Sequence, residues 1–250
     1  MEEGIVMFWF LRLLLAHLLA DFPLQTNTIF RLKKRSFWGV FLHVSIFFIL
    51  SIIFSVPYLK YIYSWIYLLL LSIFHIYIDW TRVKVSNKFK EQDNLLYFLF
   101  DQLEHLLSLM AIFLLPGSKE VIYWENPYLG KYWKNFYNSN YLILISIGFI
   151  IVVFAGTIIN YYVRKHFNSS ESFTNNGIPI KEKYLEALFK GVIFILFWLN
   201  INISIPIFVF FIKILCDLYY LKLTKKIFLI NNTIDIFLLM TVLIFLKTIL

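Results

Sequence analysis

Three pairs of residues have the types and the spacing to do chemistry. His17 and Asp21 stand four residues apart in HLLAD, and His75 and Asp79 four apart in HIYID. Asp101 and His105 repeat the spacing in reverse order, in DQLEH, and His43 stands alone in the apolar run FWGVFLHVSIF. On a helix, residues i and i+4 share a face about 6 Å apart, so each pair can point at one object beside its helix. Neutral imidazole and carboxylate together bind divalent metal, and a second carboxylate can orient a ligating ring. Such a donor set suits zinc, iron, manganese or nickel. Four histidines and three aspartates are enough for two ions, and a two-metal centre is a known device for phosphoester cleavage. Haem is the competing cofactor, but its axial ligands leave an aspartate beside nearly every histidine unexplained. The HExxH metalloprotease pattern is absent, and the lone Cys216 excludes a cysteine-rich site or an internal disulfide.

The elements that must carry these residues are membrane helices. Of 250 residues 60% are apolar, 20% aromatic and only 15% charged, against about 45–50% apolar and about 25% charged in soluble domains. No polar surface could cover this chain, and disorder is excluded for the same reason. The expected fold is all-α and polytopic, with eight spans: Gly4–Asp21, Phe37–Val56, Tyr61–Trp80, Asn94–Leu115, Tyr141–Val163, Tyr184–Leu199, Ile203–Leu221 and Ile227–Thr248. The count is seven if the hairpin at 200–202 is re-entrant. The acidic start Met1-Glu2-Glu3 does not read as a signal peptide.

Charge gives the orientation. Odd-numbered loops hold 15 of the 23 basic residues: Arg31, Lys33, Lys34, Arg35, then Arg82, Lys84, Lys88, Lys90, then Arg164, Lys165, Lys181, Lys183, and finally Lys222, Lys225 and Lys226. Even loops and the C-terminus hold five. The positive-inside rule therefore puts odd loops in the cytoplasm and both termini outside. The net charge of +8 is accounted for by anionic head groups, without nucleic acid.

With that orientation, helix rise puts His17, His43 and His75 each about 8–9 Å below the cytoplasmic surface, and Asp101 about 10 Å below it. Asp21 and Asp79 lie one turn shallower and His105 deeper. A single histidine in a span serves more often as a helix–helix hydrogen-bond partner than as a ligand. Seven ionisable groups in one layer, each costing about 2.5–3.5 kcal/mol to insert, call for a compensating object.

The expected organisation is a four-helix bundle with the His/Asp site over residues 1–117, an aromatic outer interfacial segment over 118–140, and a second four-helix region over 141–250. The expected metal ligands are His17, Asp21, His43, His75, Asp79, Asp101 and His105, with Asp21, Asp79 and Asp101 also the candidate catalytic carboxylates. Gln25, Asn27, Lys34, Lys84 and Gln102 are the candidate substrate-binding residues at the cytoplasmic mouth. Elsewhere Glu186/Lys190 and Lys213/Asp217 read as internal i,i+4 pairs. Arg12, in mid-span, needs a partner, for which Asp235 lies at matching depth.

HLLADFPLQTN, RLKKRS, His43, HIYIDWTRVK and FDQLEHL resemble the bacterial membrane family of unknown function 3307 (DUF3307), closely over residues 10–115. In the second half NNGIPIKEKYLEALF is a looser match to that family's Gly-Arg-x-Ile-Gly-x-x-Glu-Arg element, keeping Glu186 but not the arginines. A more distant similarity is to membrane-bound metal-dependent hydrolases, which share His-x-x-x-Asp elements on apolar helices. The resemblance implies a protein of the bacterial cytoplasmic membrane. Together these features lead to a metal-dependent hydrolase acting on a lipid or membrane-associated phosphoester or ester, with one or two divalent ions per chain, zinc first and manganese or iron as alternatives. A non-enzymatic metal sensor or accessory protein is the second class, docking a partner protein or a second copy. A metal or proton transporter is the third. The outer halves of the second and third spans are almost wholly apolar, which favours a one-sided site over a transport path.

Overall fold

The computed structural model describes residues 7–89, 93–125, 130–167, 180–220 and 224–249. Lys90, Tyr128, Lys222, the first residues of the chain and the Asn168–Gly177 loop lie outside them. Every described element is helical: α1 Phe8–Asp21, α2 Asn27–Arg35, α3 Phe37–Ser55, α4 Ile62–Lys88, α5 Leu95–Met110, α6 Gly130–Asn138, α7 Asn140–Ile150, α8 Gly156–Phe167, α9 Ile180–Trp198, α10 Ser204–Leu215 and α11 Lys225–Ile249. A π-helical turn, Ile151–Ala155, joins α7 to α8, and another, Cys216–Tyr220, follows α10.

Five stretches are long and apolar enough to cross a membrane: Phe37–Tyr58, Ile62–Lys88, Leu95–Leu114, Asn140–His166 and Lys225–Ile249. By length and composition this is a membrane protein. Three of the expected spans do not meet that measure. Described α1 has only 14 residues and α10 only 12, and the first half of α9 carries Lys181, Glu182, Lys183, Glu186 and Lys190. On α4 the buried residues Tyr67, Leu68, Leu71, His75, Ile78 and Asp79 form one stripe. The other side exposes Ile66, Leu69, Leu70, Ile73, Phe74 and Tyr77. An apolar outer face behind a polar inner stripe is what a helix in lipid requires.

The chain divides into two compact units, Met1–Ile147 and Gly148–Leu250, with the boundary inside α7. In the first unit α1 is buried on nearly all sides and packs on α3 and α5. At the end of α1 away from Asp21, Trp9 stacks on Tyr58 at 4.3 Å and donates to Ser55 Oγ at 2.8 Å. The aromatic segment after Pro116 belongs to this unit because it closes that end. Trp124 and Tyr137 are buried, and the Tyr137 hydroxyl donates to the Phe54 carbonyl at 3.1 Å. Burial raises that phenol above its ordinary pKa and keeps it a donor. Arg12 does not use Asp235. Its guanidinium donates to the carbonyls of Tyr137 and Phe8 and to Asn140 Oδ1, and lies over the Phe8 ring. Main-chain carbonyls, unlike a carboxylate, satisfy a buried guanidinium without burying a second charge.

At the opposite end the helix breaks are local chemistry. Pro23 follows α1 and stops it. Thr26 caps α2, Ser36 Oγ accepts from Gly39 N at 3.1 Å, and Asn94 Oδ1 accepts from Tyr97 N at 2.9 Å. The short α2 folds back onto α3 at Gly39, where an added Cβ would lie 2.0 Å from the Leu32 carbonyl oxygen. Only a glycine permits that approach. In the second unit α9 and α10 form the tight hairpin, with Asn200 in the left-handed region at φ 51°, a conformation asparagine tolerates better than most residues.

Candidate metal centre

All seven expected ligands are buried, none more than 5% exposed, with His43 and Asp79 at 0%. Four helices supply them: α1 brings His17 and Asp21, α3 His43, α4 His75 and Asp79, and α5 Asp101 and His105. Within each helix the pairs fall on the buried stripe, because a spacing of four keeps both on one face.

The centre of the cluster is a ring of four atoms. His43 Nε2 lies 3.2 Å from Asp21 Oδ1 and 3.6 Å from Asp79 Oδ2. His75 Nε2 lies 3.5 Å from each of the same two oxygens. Among the described residues, His43 Nε2, His75 Nε2, Asp21 Oδ1 and Asp79 Oδ2 have no aligned hydrogen-bond partner. Ligands about 2.0–2.1 Å from a tetrahedral zinc stand about 3.3–3.4 Å from one another. The four separations are close to that length, and the ligand atoms of Asp21, His43 and His75 all lie within 4.8 Å of one another. Orphaned donors and acceptors this deeply buried are costly, and these groups could hold a metal ion that would offset the cost.

Asp79 faces two ways. Its Oδ2 closes the ring, while Oδ1 lies 3.6 Å from His105 Nε2, which is 3.9 Å from Asp101 Oδ1. Asp79, Asp101 and His105 therefore form a second group with metal-ligand spacing, as Asp21, His43 and His75 form the first. His17 joins His75 and His105 in a third, overlapping group, with its ring centroid 5.0 Å from that of His105.

Two cations enter this layer. Lys33 of α2, buried, puts Nζ 2.6 Å from Asp79 Oδ1. Arg82 of α4 reaches Asp101 Oδ2 at 2.6 Å. Gln102 Nε2 donates to the same Asp101 oxygen at 3.0 Å and to Asp21 Oδ2 at 3.4 Å, which ties two of the carboxylates together. The other expected mouth residues lie elsewhere. Lys34 pairs with Asp93 at 3.1 Å, exposed Lys84 sits over the Trp80 ring, and Gln25 and Asn27 are half-buried at the turn into α2. The sequence marks a basic run, Lys33-Lys34-Arg35. It does not mark Lys33 as the member that turns inward, and the signal for that lies in the short amphipathic α2 and in Gly39.

The second unit buries a polar layer of another kind. Glu186 meets Lys190 at 3.3 Å and Lys213 meets Asp217 at 2.7 Å. Asp235 joins the two pairs, at 2.9 Å from Lys190 and 3.1 Å from Lys213. Asn160 donates to Asp235 and Lys213 donates to Asn232, both at 2.9 Å, and Arg164 reaches Glu182 and Glu186. The cavity of about 140 Å³ beside this network is lined mainly by Ile193, Phe197, Pro206, Phe210 and Leu239. Its charged neighbours are already paired, so it presents no free ligand set.

With this geometry in view, comparison with known proteins adds one relation. Residues 9–126 match the family described as Protein of unknown function (DUF3307). This match supports that family over this part of the chain. The match covers all seven His/Asp residues and the cations Lys33 and Arg82, and it ends before the second unit. No curated protein and no solved structure matches the chain, and the expected similarity to metal-dependent hydrolases is not shown.

Proposed function

We propose that this is an integral protein of the bacterial cytoplasmic membrane that holds a divalent ion, zinc first and manganese or iron as alternatives, in its buried His/Asp layer. We infer that it uses the ion to hydrolyse a lipid or membrane-associated phosphoester or ester. The observation that carries this reading is the four-atom ring of unpartnered ligand atoms at 3.2–3.6 Å spacing. Asp21, His43 and His75 make a His₂-carboxylate set, a combination typical of catalytic zinc. An ion held there supplies a Lewis acid and a water of lowered pKa. Asp79, with Lys33 at its other oxygen, would be the residue to take a proton as general base. Gln102 orients Asp21, and Arg82 orients Asp101. In this reading eight helices cross the bilayer, both termini lie outside, and the layer opens to the cytoplasm beneath the basic loops.

Metal analysis of the purified full-length chain, paired with release of phosphate or alcohol from inner-leaflet lipid esters, tests it. The expected result is bound zinc or manganese and hydrolysis that a chelator stops. Folded, metal-free protein would sink the metal reading. A label at Lys88 should be shielded from outside reagents and one at Lys131 reachable; the reverse would overturn the orientation.

One observation favours a second reading. Asp79 Oδ2 is as close to the two histidines as Asp21 Oδ1 is, and four protein ligands close a zinc site. A closed ion staples α1, α3 and α4 together, as in a sensor or accessory protein. Bound metal without turnover, and with a large drop in melting temperature on chelation, would select it.

A further inference from the structure

Lys33 pairs with a member of the second group of metal-ligand spacing, at Asp79 Oδ1. The two oxygens of Asp79 belong to different ligand groups. Oδ2 completes the ring with Asp21, His43 and His75, and Oδ1 faces His105 and, through it, Asp101. A carboxylate that divides its oxygens in this way could bridge a two-metal centre, whose ions stand about 3.5–4 Å apart. Here one side of the bridge is already taken, because Lys33 Nζ lies 2.6 Å from Oδ1.

We propose that Lys33 is a built-in cation for the Asp79–Asp101–His105 group, so that the layer takes one divalent ion and uses the lysine in place of a second. The proposal rests on the metal reading of the ring above.

Charge supports one ion over two. Counting only the three carboxylates (Asp21, Asp79, Asp101) and the two cations (Lys33, Arg82), the layer carries one negative charge. A single divalent ion turns this into one positive charge, which a hydroxide or an anionic phosphoester neutralises. Two ions would leave three positive charges in a medium of low dielectric, where like charges repel strongly. The fold also commits Lys33 to this place. Gly39 lets α2 lie against α3, and Asn87 donates to the Lys34 carbonyl at 3.1 Å. Lys34 pairs with Asp93. The neighbouring residues thus anchor α2 over the layer on both sides of Lys33.

The test is metal stoichiometry in the full-length chain, purified in detergent, saturated with zinc and freed of excess ion. Wild type, Lys33→Ala and Lys33→Arg are compared by mass spectrometry, with thermal unfolding to confirm that each variant is folded. The expected result is one zinc per wild-type chain, two per Lys33→Ala chain, and one per Lys33→Arg chain, in which the cation is restored. Equal stoichiometry in wild type and Lys33→Ala, at any value, overturns the proposal. No zinc in wild type with one in Lys33→Ala would sink the resident-metal reading and still place Lys33 on a cation site. If Lys33→Ala does not fold, Lys33→Met, which keeps the side-chain bulk, is measured in its place against the same expectation.

Discussion

The two units bury comparable polar layers and neutralise them differently. In the second unit cations and anions alternate: Glu186, Lys190, Asp235, Lys213 and Asp217 form a chain in which each charge touches one of opposite sign. In the first unit two cations, Lys33 and Arg82, meet three aspartates, and imidazoles make up the rest of the layer. Imidazole nitrogens and carboxylate oxygens face one another without aligned hydrogen bonds. The second unit has atoms without an aligned hydrogen bond too, on Asn160, Arg164, Asn231 and Asp235, but there Asp235 Oδ2 still faces Lys213 at 3.1 Å and Arg164 Nη2 faces Glu186 at 3.3 Å. A layer that closes its own charges holds helices together, whereas a layer that leaves lone pairs aimed at a common point holds something else. That difference, more than the mere presence of buried charge, separates a structural network from a site.

The largest expected effect that would test this contrast lies in the second unit. Asp235→Ala removes the anion that joins the Glu186/Lys190 and Lys213/Asp217 pairs, and should cost about 3–5 kcal/mol in thermal or denaturant unfolding while leaving bound metal unchanged. A loss of metal from that variant would show that the two layers are not independent. Next is the double substitution His75→Ala with Asp79→Ala, which removes two corners of the ring. It should abolish metal binding, and chelator should no longer lower its melting temperature as it does for wild type. Gly39→Ala should displace α2 through its clash with the Leu32 carbonyl, at about 1–3 kcal/mol. It should also release Lys33 from Asp79, seen as tighter uptake of a second zinc. Smallest is Gln102→Ala, which only loosens Asp21 and Asp101 and should weaken metal affinity by about 10-fold with little change in stability.

Much of the first layer is legible in the chain itself. A spacing of four within HLLAD, HIYID and DQLEH puts each pair on one face, and helix rise counted from the basic loops puts the four helices' residues at one depth. The apolar content makes the helices membrane helices. These are one-dimensional properties, of period, composition and distance along the chain, so the sequence alone determines them. What each side chain meets is a three-dimensional matter. Helix rise counted along the chain offers Asp235 as a partner for Arg12, yet Arg12 is satisfied by the Tyr137 and Phe8 carbonyls and Asp235 by two lysines. Glu186/Lys190 and Lys213/Asp217 read as separate pairs until α11 brings Asp235 between them. Of the adjacent Lys33 and Lys34, one enters the layer and the other meets Asp93 on the surface, because successive residues on a helix point about 100° apart and the Gly39 contact fixes which face of α2 turns inward. The sequence determined that a polar layer exists and at what depth. Only the packing of helices distant in sequence decided which charges it neutralises and which atoms it leaves free.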